Sequence, residues 1–109
     1  MTPPLSSIVL YILLALVDGK RHGYAIAEDA AEQSGGAVRL GPATLYGTLQ
    51  RLLDEELVAT AEPPPGVDER RRYYRLTNAG RLALEAEITR MDNLVRKIRL
   101  SQRKPIPSK

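Results

Sequence analysis

The chain has 109 residues, 43% hydrophobic and 27% charged, which fits one small globular domain with an extension and excludes wholesale disorder. It holds no cysteine and a single histidine, His22, so disulfides, thiolate metal sites and a cysteine nucleophile are excluded, and a Ser-His-Asp set has only one ring to build on. The formal charge of +3 is unevenly spread: residues 1–78 carry eight basic and ten acidic side chains, a net of −2, while residues 79–109 carry eight against three, a net of +5.

The longest apolar run, Ile8 to Val17, is about half of the roughly 20 residues that cross a bilayer, and no Lys or Arg precedes it. A secretory signal wants basic charge ahead of its apolar stretch, so the expectation is a soluble, cytoplasmic protein without membrane contact. Ser6 or Ser7 caps a first helix running to about Val17, apolar nearly all round and so buried on more than one face. Asp18-Gly19-Lys20-Arg21 reads as a turn. A second helix runs from about Gly23 to Gln33, with Tyr24, Ile26, Ala27, Ala30 and Ala31 as its apolar side and Ser34-Gly35-Gly36 ending it.

Val38-Arg39-Leu40 alternates as a minimal strand. Gly41-Pro42 opens a third helix that runs to about Glu56, because proline is favourable at the first helical position. Leu45, Leu49, Leu52 and Leu53 form its inner stripe and leave Ala43, Thr44, Tyr46, Gly47, Gln50 and Arg51 outside. Leu57 to Glu62 and Arg71 to Leu76 read as a hairpin whose tip is Pro63-Pro64-Pro65-Gly66. Three prolines are also a polyproline-ligand signal, but inside a hairpin they favour a stiff turn. Thr77 caps a last helix from Asn78 to about Arg99 or beyond. There Leu84, Ile88, Met91, Val95 and Ile98 are spaced 4, 3, 4 and 3, the period of a coiled-coil seam. At about 1.5 Å per residue this helix is roughly 35 Å long, more than so small a core covers. A second subunit, the first helix, or one face for each is the expected cover. Residues 104–109 read as a frayed tail.

The element order is that of a mainly α fold with a small β-hairpin: a winged helix-turn-helix over residues 1–78, then a dimerisation helix over 79–103. In such a fold the third helix enters the major groove and the hairpin is the wing. The slim outer face of Ala43, Thr44 and Gly47 permits close approach, and Gln50 and Arg51 reach base edges or phosphates. Arg70, Arg71, Arg72 and Arg75 lie within six residues. Alone such a run reads as solvated loop, but at a wing it sits beside phosphates or the minor groove.

Three segments then carry a family resemblance over roughly residues 5–85. Ile12-Leu13-Leu14-Ala15-Leu16 leading to His22-Gly23-Tyr24-Ala25-Ile26, Leu40-Gly41-Pro42-Ala43-Thr44-Leu45-Tyr46 with Leu49 and Leu52, and Arg71-Arg72-Tyr73-Tyr74-Arg75-Leu76-Thr77-Asn78-Ala79-Gly80 fall in order. Together they resemble the PadR-type transcriptional regulators in their short form with one C-terminal helix. The resemblance implies a homodimer joined through the C-terminal and first helices, on a near-palindromic double-stranded DNA operator, often as a repressor. It leaves room for autoregulation and for release by a small-molecule effector, and implies no cofactor. Carried over by position, Thr44, Tyr46 and Gln50 face DNA, Tyr46 through its hydroxyl to phosphate, and His22 and Tyr24 sit where the second helix begins. His22 is equally readable as a cap or packing residue and Tyr24 as a core ring; of Tyr73 and Tyr74, one belongs in the core and the other against DNA or a partner.

The chain departs from the family pattern at Gly41, commonly Ser, which removes an N-cap bond, and at Ala43 and Gly47. It has no Trp or Phe, so family members that stack flat ligands between aromatics offer no guide. Met91, Leu94 and Val95 line either a small apolar cavity or, more simply, pack in the core or the seam. Asp54-Glu55-Glu56 is the one paired-carboxylate candidate for an enzyme and reads as solvated helix end. A metal effector held by carboxylates and His22 stays open. The competing reading is a winged helix for protein contact without specific DNA binding, which the near-neutral first half of the chain allows.

Overall fold

The computed structural model describes residues 4–68 and 70–102; the tail expected at 104–109 lies outside the described residues. Helix α1 (Ser7–Ala15) starts where the Ser6 side chain accepts the Val9 N–H at 3.2 Å. It stops two residues short of the expected Val17, where Arg21 Nε donates to the Ala15 carbonyl at 2.7 Å and so satisfies one of the helix's terminal acceptors. Ile12 and Leu13 are fully buried, as a helix apolar all round requires.

Strand β1 (Arg21–His22) follows directly, then α2 (Gly23–Gln33) and α3 (Pro42–Asp54). The short strand expected at Val38–Leu40 does not form. That segment is an extended link, with the Val38 N–H taken by Ser34 Oγ at 2.8 Å. The third strand is Arg21–His22 instead, in a stretch read as turn, because two residues carry no periodicity and the pairing comes wholly from β3. Strands β2 (Val58–Ala61) and β3 (Tyr73–Leu76) pair antiparallel from Val58↔Leu76 to Ala61↔Tyr73, and the sheet order is β1-β3-β2. The hairpin tip turns at Pro64–Val67, closed by the Val67 N–H on the Pro64 carbonyl at 3.2 Å. With β3 central, Tyr73 and Tyr74 are both buried, 8% and 2% exposed. The expectation that one of them faces outward is therefore corrected: the His22 ring stands edge-on to Tyr73 at 5.6 Å and covers it.

Helix α4 (Asn78–Gln102) opens with Thr77 Oγ1 accepting the Gly80 N–H at 3.0 Å. Gly80 lies so close to the Leu57 carbonyl oxygen that any β-carbon would collide with backbone, which fixes where α4 crosses the start of β2. Leu84 is 3% exposed and belongs to its own chain's core, so it is not part of a free seam. Glu87, also buried, accepts the Leu5 N–H at 3.2 Å and binds Arg90 at 2.8 Å. From Ile88 onward every α4 residue except the half-buried Arg90 is exposed, and the helix projects from the body.

Candidate nucleic-acid interface

Three elements converge on one cleft of about 490 Å³, lined by His22, Gly23, Tyr24, Tyr46, Arg70, Arg71, Arg72 and Tyr74. α2 begins at its edge, α3 supplies Tyr46, and the segment before β3 supplies the arginines. His22 caps α2: its Nδ1 accepts the Ala25 N–H at 3.2 Å, while Nε2 lies 3.1 Å from Nη1 of Arg71. The capping role weighed for His22 is thus present, and the same ring meets the wing. Partial burial, with the Arg71 charge adding to it, holds the His22 imidazole below its ordinary value of 6.5 against the opposite pull of Glu28. The ring is neutral at physiological pH.

Tyr24 is 67% exposed and stacks on His22 at 6.5 Å, which corrects both its placement on the apolar side of the second helix and the core-ring alternative. Its neighbour Gly23 is buried because Tyr46 lies directly on it: a β-carbon there would come within 2.6 Å of the Tyr46 hydroxyl and 2.9 Å of its ring. Tyr46 is half-exposed, its ring body seated on α2 and its hydroxyl at the cleft. Burial raises the Tyr74 hydroxyl above its ordinary value of 10.0, partly offset by Arg72, which hydrogen-bonds it.

Thr44, Gly47, Gln50 and Arg51 are exposed along the outer side of α3, outside the cleft lining. Two of them are tied to acidic neighbours: Gln50 Nε2 donates to Asp54 at 3.0 Å, and Arg51 pairs with Glu55 at 3.6 Å. Of the three carboxylates weighed as an enzyme candidate, Asp54 and Glu55 are therefore partners of α3's own polar face. At the wing, Arg70 binds Asp68 through its backbone N–H at 2.9 Å and its guanidinium at 3.2 Å, which holds the Asp68 carboxyl below its usual range. A second, shallower depression of about 890 Å³ on the wing gathers Lys20, Arg75 and the same three arginines.

Sequence reasoning missed Gly23 and Lys20 as parts of this surface and left open which of Tyr73 and Tyr74 meets it; the cleft is lined by Tyr74. Only the tertiary pairing of β1 with β3 brings them there; the His22-Gly23-Tyr24 triplet was the one local signal. Among the described residues no carboxylate lines the first cleft, and its polar atoms are guanidinium and imidazole N–H groups and tyrosine hydroxyls. Such a set attracts anions. Among the described residues no cluster of three His, Cys, Asp or Glu side chains is placed to hold a metal ion, and no helix is long and apolar enough to cross a membrane.

The family described as the transcriptional regulator PadR-like family matches residues 12–86. A transcriptional regulator of Mycobacterium tuberculosis is 35% identical over 94 residues, spanning 85% of this chain and 83% of that protein. An uncharacterized 37.1 kDa transposon-borne protein of Streptomyces fradiae is 46% identical over 85 residues, 78% of this chain, which spans only 23% of that protein's length. Among solved structures, Bacillus subtilis PadR in complex with operator DNA superposes with a TM-score of 0.64 at 25% identity, covering 98% of this chain and 53% of that one.

Proposed function

This chain belongs to the PadR-like family of transcriptional regulators, and from that footing we propose that it binds double-stranded operator DNA as a homodimer. The observation that carries the reading is the convergence of Tyr24, Tyr46 and Arg70–Arg72 on one cleft, without a carboxylate among its described lining, beside the exposed outer side of α3. In this reading α3 lies in the major groove: Thr44 and Gly47 allow close approach, Gln50 reads base edges, and Arg51 gives up Glu55 for phosphate. The wing arginines, with Tyr46 and the start of α2, hold the backbone, which sets position rather than sequence. The operator complex of the Bacillus subtilis protein supports DNA as the ligand class.

The dimer reading rests on the projecting half of α4. Ile88, Met91, Leu94, Val95 and Ile98 are all exposed there, a stripe that an isolated helix has no means to bury. Two α3 helices related by a twofold axis would meet half-sites roughly 34–36 Å apart, the spacing of a near-palindromic operator. Repression, autoregulation and release by a small molecule complete the proposal.

Titration against the duplex upstream of its own gene, with random duplex as control, at two salt concentrations, tests it. Tight binding to the upstream duplex alone, two chains per site, is the expected result. Weak, equal and salt-labile binding to both duplexes favours a winged helix used for protein contact.

A further inference from the structure

The cap of α2 and the arginine beside it share one acceptor too few. A neutral imidazole has one N–H and one lone pair, and a guanidinium nitrogen only donates. The Ala25 N–H at 3.2 Å from Nδ1 and the Arg71 N–H at 3.1 Å from Nε2 therefore compete for a single lone pair, whichever tautomer is present. With that lone pair spent on the cap, the Nε2–H is turned against an arginine N–H. Among the described residues nothing relieves this, since no carboxylate hydrogen-bonds either group. The side-chain carboxylates of Glu28 on α2 and Asp68 on the wing act on the His22 ring and the Arg71 guanidinium through their charge, while the Asp68 carbonyl accepts only the Arg71 backbone N–H, at 3.1 Å. An anionic oxygen can accept from both donors, and they stand in the cleft that the tyrosine hydroxyls also line.

Resting on the DNA reading above, we infer that His22 Nε2–H and Arg71 together hold one phosphate oxygen of the DNA backbone, with the neutral His22 ring locked as a donor by its Nδ1 bond to Ala25. An oxygen between the two donors replaces a repulsive contact by two charge-assisted hydrogen bonds. It carries no base identity, so this contact sets affinity and register, not discrimination. Inorganic phosphate presents the same oxygen, and the arms of the test separate the two sources.

His22 is the only histidine of the chain, so its imidazole nitrogens give one assignable set of NMR signals. The expected free state is the Nε2-protonated tautomer, and addition of either upstream or random duplex shifts the Nε2 signal. His22→Asn keeps an acceptor at the cap but removes the Nε2–H, so thermal stability is retained while affinity for both duplexes falls about tenfold. The salt slope of that variant is unchanged, since a neutral donor releases no counterion, whereas Arg71→Gln lowers the slope by about 0.9 for each phosphate it no longer neutralises. An Nδ1-protonated tautomer, or a well-folded His22→Asn variant with full affinity, overturns the site and leaves the DNA reading standing. Wild-type protein that binds neither duplex overturns the DNA reading. A His22 shift under inorganic phosphate in that case overturns DNA as the source of the oxygen.

Discussion

At the scale of single residues, two side chains have measurable consequences outside the main chemistry. Tyr46 is seated on Gly23, whose missing β-carbon is what allows the ring to lie there. Gly23→Ala is expected to displace Tyr46 and weaken DNA binding several-fold with little change in thermal stability, since Tyr46 is half-exposed. In a Tyr46→Ala background the same substitution has nothing left to displace. A double-mutant cycle on DNA affinity reads the coupling, and additive losses would show that Gly23 does not act through Tyr46. His22 links stability to pH. Its imidazole is held below 6.5 in the folded chain, so near and just below that pH the unfolded chain binds more protons. Stability from this group is complete above 6.5 and falls as pH drops through the folded-state value. Chemical denaturation between pH 5 and 8 is expected to show a slope that His22→Asn reduces, and equal slopes in both proteins would refute it.

At the scale of elements, the end of α3 carries a local cost. Glu56 has φ of +61°, in the left-handed region, and the N–H groups of Glu56 and Leu57 close the helix onto Leu53 and Leu52 at 3.0 and 2.9 Å. A side chain at that backbone geometry costs about 1 kcal/mol, which glycine does not incur. Glu56→Gly is therefore expected to raise stability by about 0.5–1 kcal/mol in urea denaturation, and a loss would point to an unrecognised contact of the carboxylate. The helix boundaries were largely readable from local signals: the Ser6 and Thr77 caps and Pro42 stand where their side-chain chemistry dictates. The strands were less so. Tyr73 and Tyr74 alternate across the sheet yet are both buried, because Tyr74 joins the core on one face while the His22 ring, carried on the neighbouring strand β1, covers Tyr73.

At the scale of the whole molecule, shape argues for a partner. The radius of gyration is 17.1 Å and the extents are 63 × 29 × 23 Å. A compact chain of this length has a radius of gyration of roughly 13 Å. The difference is the projecting half of α4, from Ile88 to Gln102. Most helical stability in proteins comes from packing of an apolar face rather than from propensity, so such a projection is more stable when its apolar side is buried against another helix. Val95→Asp with Ile98→Asp is expected to give monomers in sedimentation velocity and a lower melting temperature that no longer depends on protein concentration. A dimer that persists in this variant would place the interface elsewhere.

The sequence by itself determined the helices, their caps, the inner stripe of α3 and the family, because these depend on side-chain chemistry within a few positions and on the spacing of apolar residues. It also located the arginine run and the His22-Gly23-Tyr24 triplet as separate signals. Only the tertiary structure decided that Leu84 serves its own core, that Tyr24 faces solvent, and that Arg21–His22 rather than Val38–Leu40 completes the sheet. Each of these depends on which surface another element covers, and a two-residue strand acquires its hydrogen bonds entirely from the neighbour it meets. The contact of His22 with Arg71, 49 positions apart, belongs to the same class: both residues are written in the chain, but their shared lack of an acceptor exists only once the sheet has formed.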